Sequence, residues 1–555
     1  MTRPACAAET RRRRKRGLLT DPDARIFIND AVCEGCGDCS VQSNCIAVQP
    51  LETEFGRKRR IDQGSCNKDF SCLKGFCPSF VTVHGAVPRK LQDPAKIERD
   101  VLRSLPLPPA QSLDRPYGIL IAGIGGSGVI TLGALVGMAA HMEGKACTVL
   151  DVTGLSQKNG AVTSHVRLAQ RPEDLHAVRI AAGGANLVLA CDMVVAAAPP
   201  SLQRMETGAT RAIVNTHVAP TAQFVLDQEM DFELASLQRA LRAAVGSNAI
   251  EFIDATALTT VLSGDAAASN VFMLGYAFQK GLLPLGLAAL ERAIKLNGIA
   301  PDANLRAFAW GRLAAHDSSR VEALARPLVL EPTPAVLDMV ALVERQAAFL
   351  TDYQDVAYAR RYREFVQQIA AHEKARVPGR SELAEAAARN LFKLMAYKDE
   401  YEVARLYTNG EFLEKLHRQF EGDLRLEFHL AAPLIVARDR VTGLPRKRAY
   451  GAWMLKLFKL IARLRRLRGT PFDVFGYTAE RRRERELITE YEGVLRELAG
   501  NLDRENHALA VEIASLPEEI KGFGYIKACN IEKTKAREGE LLALFRGAGH
   551  TAAAA

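Results

Sequence analysis

No run of apolar residues in this chain of 555 is long and uncharged enough to span a bilayer. The N-terminus also lacks the apolar core of a secretory signal. It carries Arg11, Arg12, Arg13, Arg14, Lys15 and Arg16 in succession instead. These two absences predict a cytoplasmic protein whose cysteines stay reduced, with no membrane partner. Helix-turn-helix, RNA-recognition and finger patterns are missing as well. The formal charge of +9 therefore reads as a solvated basic segment or a docking patch for an acidic protein, with no nucleic acid. Nor is there an internal repeat. A chain of this length predicts several domains, each with its own core.

What the sequence does have is clustered cysteine. Seven of its 11 cysteines lie between Cys33 and Cys77. Cys33, Cys36 and Cys39 follow one another at two-residue gaps on a glycine-containing loop, and Cys77 stands directly before Pro78. Three thiolates in such a run, joined by a distant Cys-Pro, make the ligand pattern of a bacterial ferredoxin site. These four are expected to hold a 4Fe–4S cluster. Zinc is the rival, because Cys33 and Cys36 alone would fit a zinc ribbon; the third cysteine at the same step favours the cluster. Disulfides are not expected in a reducing compartment. Cys45, Cys66 and Cys72 remain, one thiolate short of a second set and at gaps unlike the two-cluster pattern. One cluster is expected, and a second stays open.

Residues 1–24 read as a basic lead-in and 25–86 as a small ferredoxin-like iron–sulfur module, with short strand signals on either side of the cysteines. Residues 87–116 form a linker whose prolines, Pro88, Pro94, Pro106, Pro108, Pro109 and Pro116, forbid a continuous helix or central strand. From 117 to 325 apolar strand signals alternate with helical ones, which predicts a doubly wound α/β domain. From 335 to 546 the pattern is mainly helical. There Leu383, Ala387, Leu391, Leu394 and Met395 share one helical face. Leu455, Phe458, Leu460, Ile461, Leu464 and Leu467 mark a basic amphipathic helix expected to cover a core.

Gly123, Gly125, Gly126, Ser127 and Gly128 follow a predicted strand and open a helix, matching G-x-G-x-x-G. Such a loop lets backbone N–H groups approach a phosphate at a helix N-terminus. Asp151, about 23 residues on from Gly128 at the end of the next strand signal, stands where a dinucleotide fold puts its ribose acid. From residues alone, an NAD(P) or flavin site and simple close packing of strand on helix are both open.

The segment from Asp151 through Gly154, Ser156, Gln157, Lys158, Gly160, Thr163, Ser164, His165 and Arg167 shifts that balance. With Gly123–Val129, Asn270–Gly275, Gly281 and Asn304–Phe308, it closely resembles the gamma domain of 2-oxoacid:ferredoxin oxidoreductases. Pro471–Arg481 and Lys521–Tyr525 resemble the C-terminal domain of the fused indolepyruvate ferredoxin oxidoreductases, so that residues 4–546 are similar to the C-terminal half of such a protein. The resemblance implies oxidative decarboxylation of an aryl 2-oxoacid, with electrons passed through 4Fe–4S to ferredoxin. It implies an oligomer. It also implies that the glycine loop faces a thiamine or coenzyme A site, with His165 and Arg167 as candidate contacts for a carboxylate or phosphate. The family holds thiamine diphosphate and Mg2+ through a Gly-Asp-Gly segment, and none occurs here. Thiamine diphosphate, Mg2+ and coenzyme A are therefore expected only with a further thiamine-binding chain or domain. No catalytic residue is assigned within this chain, which is expected to be inactive alone. The alternatives are an iron–sulfur oxidoreductase using NAD(P) or flavin at the glycine loop, a non-catalytic remnant of a truncated gene, and a zinc protein that binds nucleic acid.

Overall fold

The computed structural model describes residues 9–552 apart from 11–12, 15–16, 90–104, 110, 155–159, 219–226, 228–229, 231–232, 264–265, 326–336 and 432–446. Half of the basic lead-in, Pro94, and Ser156, Gln157 and Lys158 thus lie outside the described residues.

The cysteine-bearing segment opens with β1 (Ala24–Ile28), buried except at Arg25, and closes with β4 (Phe80–His84). The two pair antiparallel, Ile26 opposite Thr82. Between them come α1 (Asp38–Ser43) and a hairpin of β2 (Val48–Thr53) and β3 (Gly56–Ile61). A two-residue strand, β5 (Val87–Pro88), follows at an edge, where a proline is tolerated.

Next comes a six-stranded sheet built from β6 (Tyr117–Ile124), β7 (Ala146–Thr153), β8 (Ala161–Ala169), β9 (Leu187–Ala190), β10 (Arg211–Asn215) and β11 (Ile250–Ile253), in the order β11-β10-β9-β6-β8-β7. β6, β9, β10 and β11 run parallel, whereas β8 is antiparallel to both neighbours. Both faces are covered, which is why the parallel strands read as unbroken apolar runs. On one face Ile119, Ile121, Leu187, Leu189 and Ile213 meet α2 (Val129–Met142), α4 (Ser269–Gln279), α5 (Leu287–Asn297) and α6 (Pro301–His316). On the other, Leu120, Val188 and Val214 meet α3 (Leu234–Val245). The sequence predicts a doubly wound sheet; the structure is mixed, because β8 inserts between β6 and β7. In α4 and α6, a β-carbon at Gly275 would overlap the Phe308 carbonyl and one at Gly311 the Phe272 carbonyl. These helices touch backbone to backbone, so the Asn270–Gly275 motif has a packing reason.

The C-terminal part is led by α7 (Met339–Tyr353), α8 (Val356–Arg376) and α9 (Glu382–Met395). It continues with α10 (Glu400–Thr408), α11 (Glu411–Gln419), α12 (Met454–Arg463), α13 (Ala479–Gly500), α14 (His507–Ser515) and α15 (Gly524–Ala552). The face of Leu383, Ala387, Leu391, Leu394 and Met395 is buried against Tyr362 and Leu495. Glu373 of α8 accepts hydrogen bonds from the N–H groups of Leu383 and Ala384, at 2.9 and 2.8 Å. It thereby serves the open N-terminus of α9. α12 buries Met454, Phe458 and Ala462 but leaves Leu460 exposed.

This part is not wholly helical. β13 (Arg425–Leu430) adds to β4 with Phe428 opposite Val81, and β14 (Arg448–Tyr450) adds to β13. β12 (Phe420–Glu421) pairs with β5. The sheet beside the cysteines therefore runs β1-β4-β13-β14 and belongs to two distant stretches of chain.

Candidate functional site

Cys33 leaves the end of β1, its N–H donating to Asn29 O at 2.9 Å. Gly35 then takes φ +73°, and a β-carbon there would collide with the Arg57 carbonyl, so glycine is required between the first two cysteines. Cys39 sits in α1, while Cys77 is carried in from the start of β4. All are free thiols. Each of the six pairs among Cys33, Cys36, Cys39 and Cys77 is close enough for the thiolates to repel. Burial first, and then that repulsion, pushes the Cys36 and Cys39 thiols well up and Cys77 to about 12. Cys45, Cys66 and Cys72 make a second such set, with burial and mutual repulsion raising Cys72 to about 12. Asp69 faces both Cys66 and Cys72, a carboxylate that cysteine counting could not find.

Thiols gathered this closely can donate to a cationic group, which deprotonates thiols outright. Spacing bears on which one. A tetrahedral zinc with sulfur at about 2.3 Å draws its thiolates to about 3.8 Å from one another. Among the described residues, no three of these thiols have their sulfurs all within 4.8 Å. Two hydrogen-bonding groups already address the sulfurs: Gly35 N–H donates to Cys33 Sγ at 3.3 Å, and Ser79 Oγ lies 2.8 Å from Cys77 Sγ.

Beside Cys33 is a buried knot of charge. Glu34 pairs with Lys398 at 2.8 Å, and Lys58, Lys393 and Lys527 also face it. Burial draws Lys58 down to about 8 and Lys393 to about 7. Lys447 donates to the Gly75 carbonyl and faces Cys77, Cys39 and Cys72. None of these distant lysines is flagged by a sequence motif.

The glycine loop lies at the carboxyl end of β6 and opens α2, with Gly126 and Gly128 at positive φ. Gly125 N–H donates to Gly160 O at 2.8 Å, and Ser127 N–H to Ile124 O at 3.3 Å. Asn270 Nδ2 donates to Ser127 O at 3.0 Å. Two of the N–H groups that would cradle a phosphate are thus spent within the fold. Asp151 lies on β7, two strands from β6 and exposed, because β8 separates them. This is not the neighbouring-strand position of a ribose acid.

His165 and Arg167 are not brought to the loop. Ala161 pairs with Ile124, and His165 and Arg167 lie four and six residues further along β8, roughly 13 and 20 Å at a strand's rise. Arg167 donates to Ala177 O at 2.6 Å. His165 is buried and its Nδ1 accepts from Ile180 N–H at 3.3 Å, which requires the unprotonated nitrogen. Burial, then Arg179 and Arg204, hold its pKa down at about 4. Between about pH 4 and 6.5 the unfolded chain takes a proton that the folded one refuses. Stability is therefore expected to fall as pH drops through that window, with a slope of at most about 1.4 kcal/mol per unit. Urea unfolding of the wild type and His165→Gln at pH 7 and 5 checks this. The variant should lose less stability between the two, and equal losses would contradict the assignment.

With this geometry in hand, similarity to known proteins is informative. Residues 118–314 match the family described as pyruvate ferredoxin/flavodoxin oxidoreductase. That segment belongs to this family. This chain is also similar to the indolepyruvate oxidoreductase subunit IorB of Thermococcus kodakarensis, 27% identical over 206 residues, covering 37% of this chain and 98% of that protein. The counterpart in Archaeoglobus fulgidus is 27% identical over 199 residues, covering 35% and 92%. Residues 339–540 match a family of unknown function, DUF6537. Among solved structures, pyruvate oxidoreductase subunit PORC of Thermotoga maritima covers 36% of this chain and 96% of its own, at 20% identity and a TM-score of 0.27. The membership rests on the sequence matches. Among the described residues, no helix is long and apolar enough to cross a membrane.

Proposed function

We propose that this chain is the electron-relay and gamma portion of an indolepyruvate-type 2-oxoacid:ferredoxin oxidoreductase. The observation that carries this reading is the convergence of Cys33, Cys36, Cys39 and Cys77 in a chain whose residues 118–314 match the oxidoreductase family and which is similar to IorB over 206 residues. The four cysteines would hold a 4Fe–4S cluster; Cys45, Cys66 and Cys72 are the ligands for a second. When bound, such a cluster takes up and releases one electron at a time.

The chain's own contribution is to hold and insulate. Burial of Cys33, Cys39 and Cys77 keeps water from the sulfurs. The Gly35 N–H lowers the cost of thiolate charge. Carbon chemistry falls to thiamine diphosphate and Mg2+, supplied by a thiamine-binding chain or domain along with the coenzyme A site, since the sequence holds no Gly-Asp-Gly segment. The acceptor is ferredoxin. The positive balance of the chain speeds encounter with an acidic protein, an effect that salt weakens. The NAD(P) or flavin alternative loses support from the spent N–H groups and the displaced Asp151.

Anaerobic purification with iron and sulfide assays tests the relay. About four irons per chain are expected from the first site alone and about eight if both fill. A chain that holds zinc and no sulfide would overturn the reading.

A further inference from the structure

The function of residues 339–540 is the open question, and the structure places this segment against the first cysteine site. Asn29 Nδ2, just beyond β1, donates to Leu406 O at 3.1 Å. Tyr407 OH donates to the carbonyl of Pro78, the residue after Cys77, at 2.7 Å. Lys398 Nζ donates to the carbonyl of Cys33 at 3.1 Å while pairing with Glu34. A β-carbon at Gly522 would stand 3.4 Å from Cys36 Cβ, and Tyr525 packs on Phe76 with ring centroids 5.2 Å apart. Lys447 reaches the Gly75 carbonyl and lies over the Phe80 ring at 5.2 Å. All four cysteines therefore have a neighbour from this segment, and two of those neighbours are mostly buried ammonium groups.

Charge in so dry a place has a redox consequence. A cluster on four thiolates is anionic, and adding an electron makes it more so. A fixed positive charge nearby stabilises the reduced form, the more strongly the lower the local dielectric. A negative charge does the reverse. Lys447 faces Cys39 and Cys77, and the acid that acts on it, Asp38, is itself bonded to Phe76 N–H at 2.7 Å. Glu34, one residue from Cys33, is the opposing charge, balanced by Lys398.

We infer that the 339–540 segment sets the reduction potential of the cluster proposed above on Cys33, Cys36, Cys39 and Cys77, with Lys447 raising it, Lys398 screening Glu34, and the helices shielding the site from water. This inference rests on that cluster reading and gives the segment of unknown function a definite task in it.

The test is a potentiometric titration of the full chain, purified anaerobically and followed by the electron paramagnetic resonance of the reduced cluster. Lys447→Gln should lower the potential, with about a tenfold smaller ratio of reduced to oxidised cluster at a fixed potential, or 59 mV for one electron. Glu34→Gln should shift it the other way. Lys447→Arg should keep the wild-type value, and Lys295→Gln on α5, remote from the site, should change nothing. A purely structural role would not give opposite signs for Lys447→Gln and Glu34→Gln. Iron-replete variants with unchanged potential overturn the inference. So does loss of the cluster from both of them, which would make these residues structural supports. Wild-type chain without iron would sink the cluster reading itself, a separate result.

Discussion

Cys36→Ala is expected to leave a folded chain that has lost the iron of its first site, about four atoms per chain. The reasoning is local. Cys36 is the one residue of the first four cysteines that is partly exposed, so removing its sulfur leaves little cavity. Its thiol faces Cys33 and Cys77, and three remaining ligands cannot satisfy four corners of a cluster. Circular dichroism should match the wild type while the iron and sulfide assays fall together. Undiminished iron would remove Cys36 from the ligand set. Retained iron in Cys36→Ala with loss in Cys72→Ala would move the principal cluster to the second group of thiols.

The largest loss of stability is expected from Asp399→Ala. Asp399 receives two hydrogen bonds from Arg468, at 2.6 and 2.8 Å, with both side chains almost wholly buried. Its Oδ1 also accepts from Glu402 N–H at 2.8 Å and caps α10. Arg468 reaches the Tyr353 carbonyl at 2.6 Å and stacks on that ring, 3.6 Å from its centroid. Removing the carboxylate strands a guanidinium in the core, at a cost of about 3–5 kcal/mol. Thermal unfolding should show a fall of roughly 10 °C for a domain of this size. Adding Arg468→Met should recover much of it, because the unpaired charge goes too. A change below about 1 kcal/mol in the single variant would mean that the pair is not formed in solution.

How much of this was legible in the sequence follows from how far apart the partners are. Cys33, Cys36 and Cys39 announce a ligand loop because their spacing is local, and Gly35 is readable for the same reason. The glycine loop and α2 are readable as strand, turn and helix. Their meaning was not, because that depends on strand order. Asp151 sits at the expected distance along the chain, yet β8 intervenes, and antiparallel insertion leaves no mark on the strand it displaces. His165 and Arg167 look like anion contacts in one dimension and prove to be spread along a strand, held by Ile180 and Ala177. Arg425–Leu430 alternates in burial as a strand should, but nothing in its residues points to β4, more than 300 positions earlier. Lys398 and Lys447 are ordinary lysines until the fold sets them beside Cys33 and Cys77.

The measurement closest to the central claim is dye reduction by the complete reaction. The chain, purified anaerobically, is given thiamine diphosphate, Mg2+, coenzyme A, indolepyruvate and a viologen, with and without a thiamine-binding partner chain. The account predicts no reduction by these 555 residues alone and reduction once the partner is present, abolished by Cys36→Ala. Turnover by the chain alone, or silence with the partner present and the cluster intact, would contradict it.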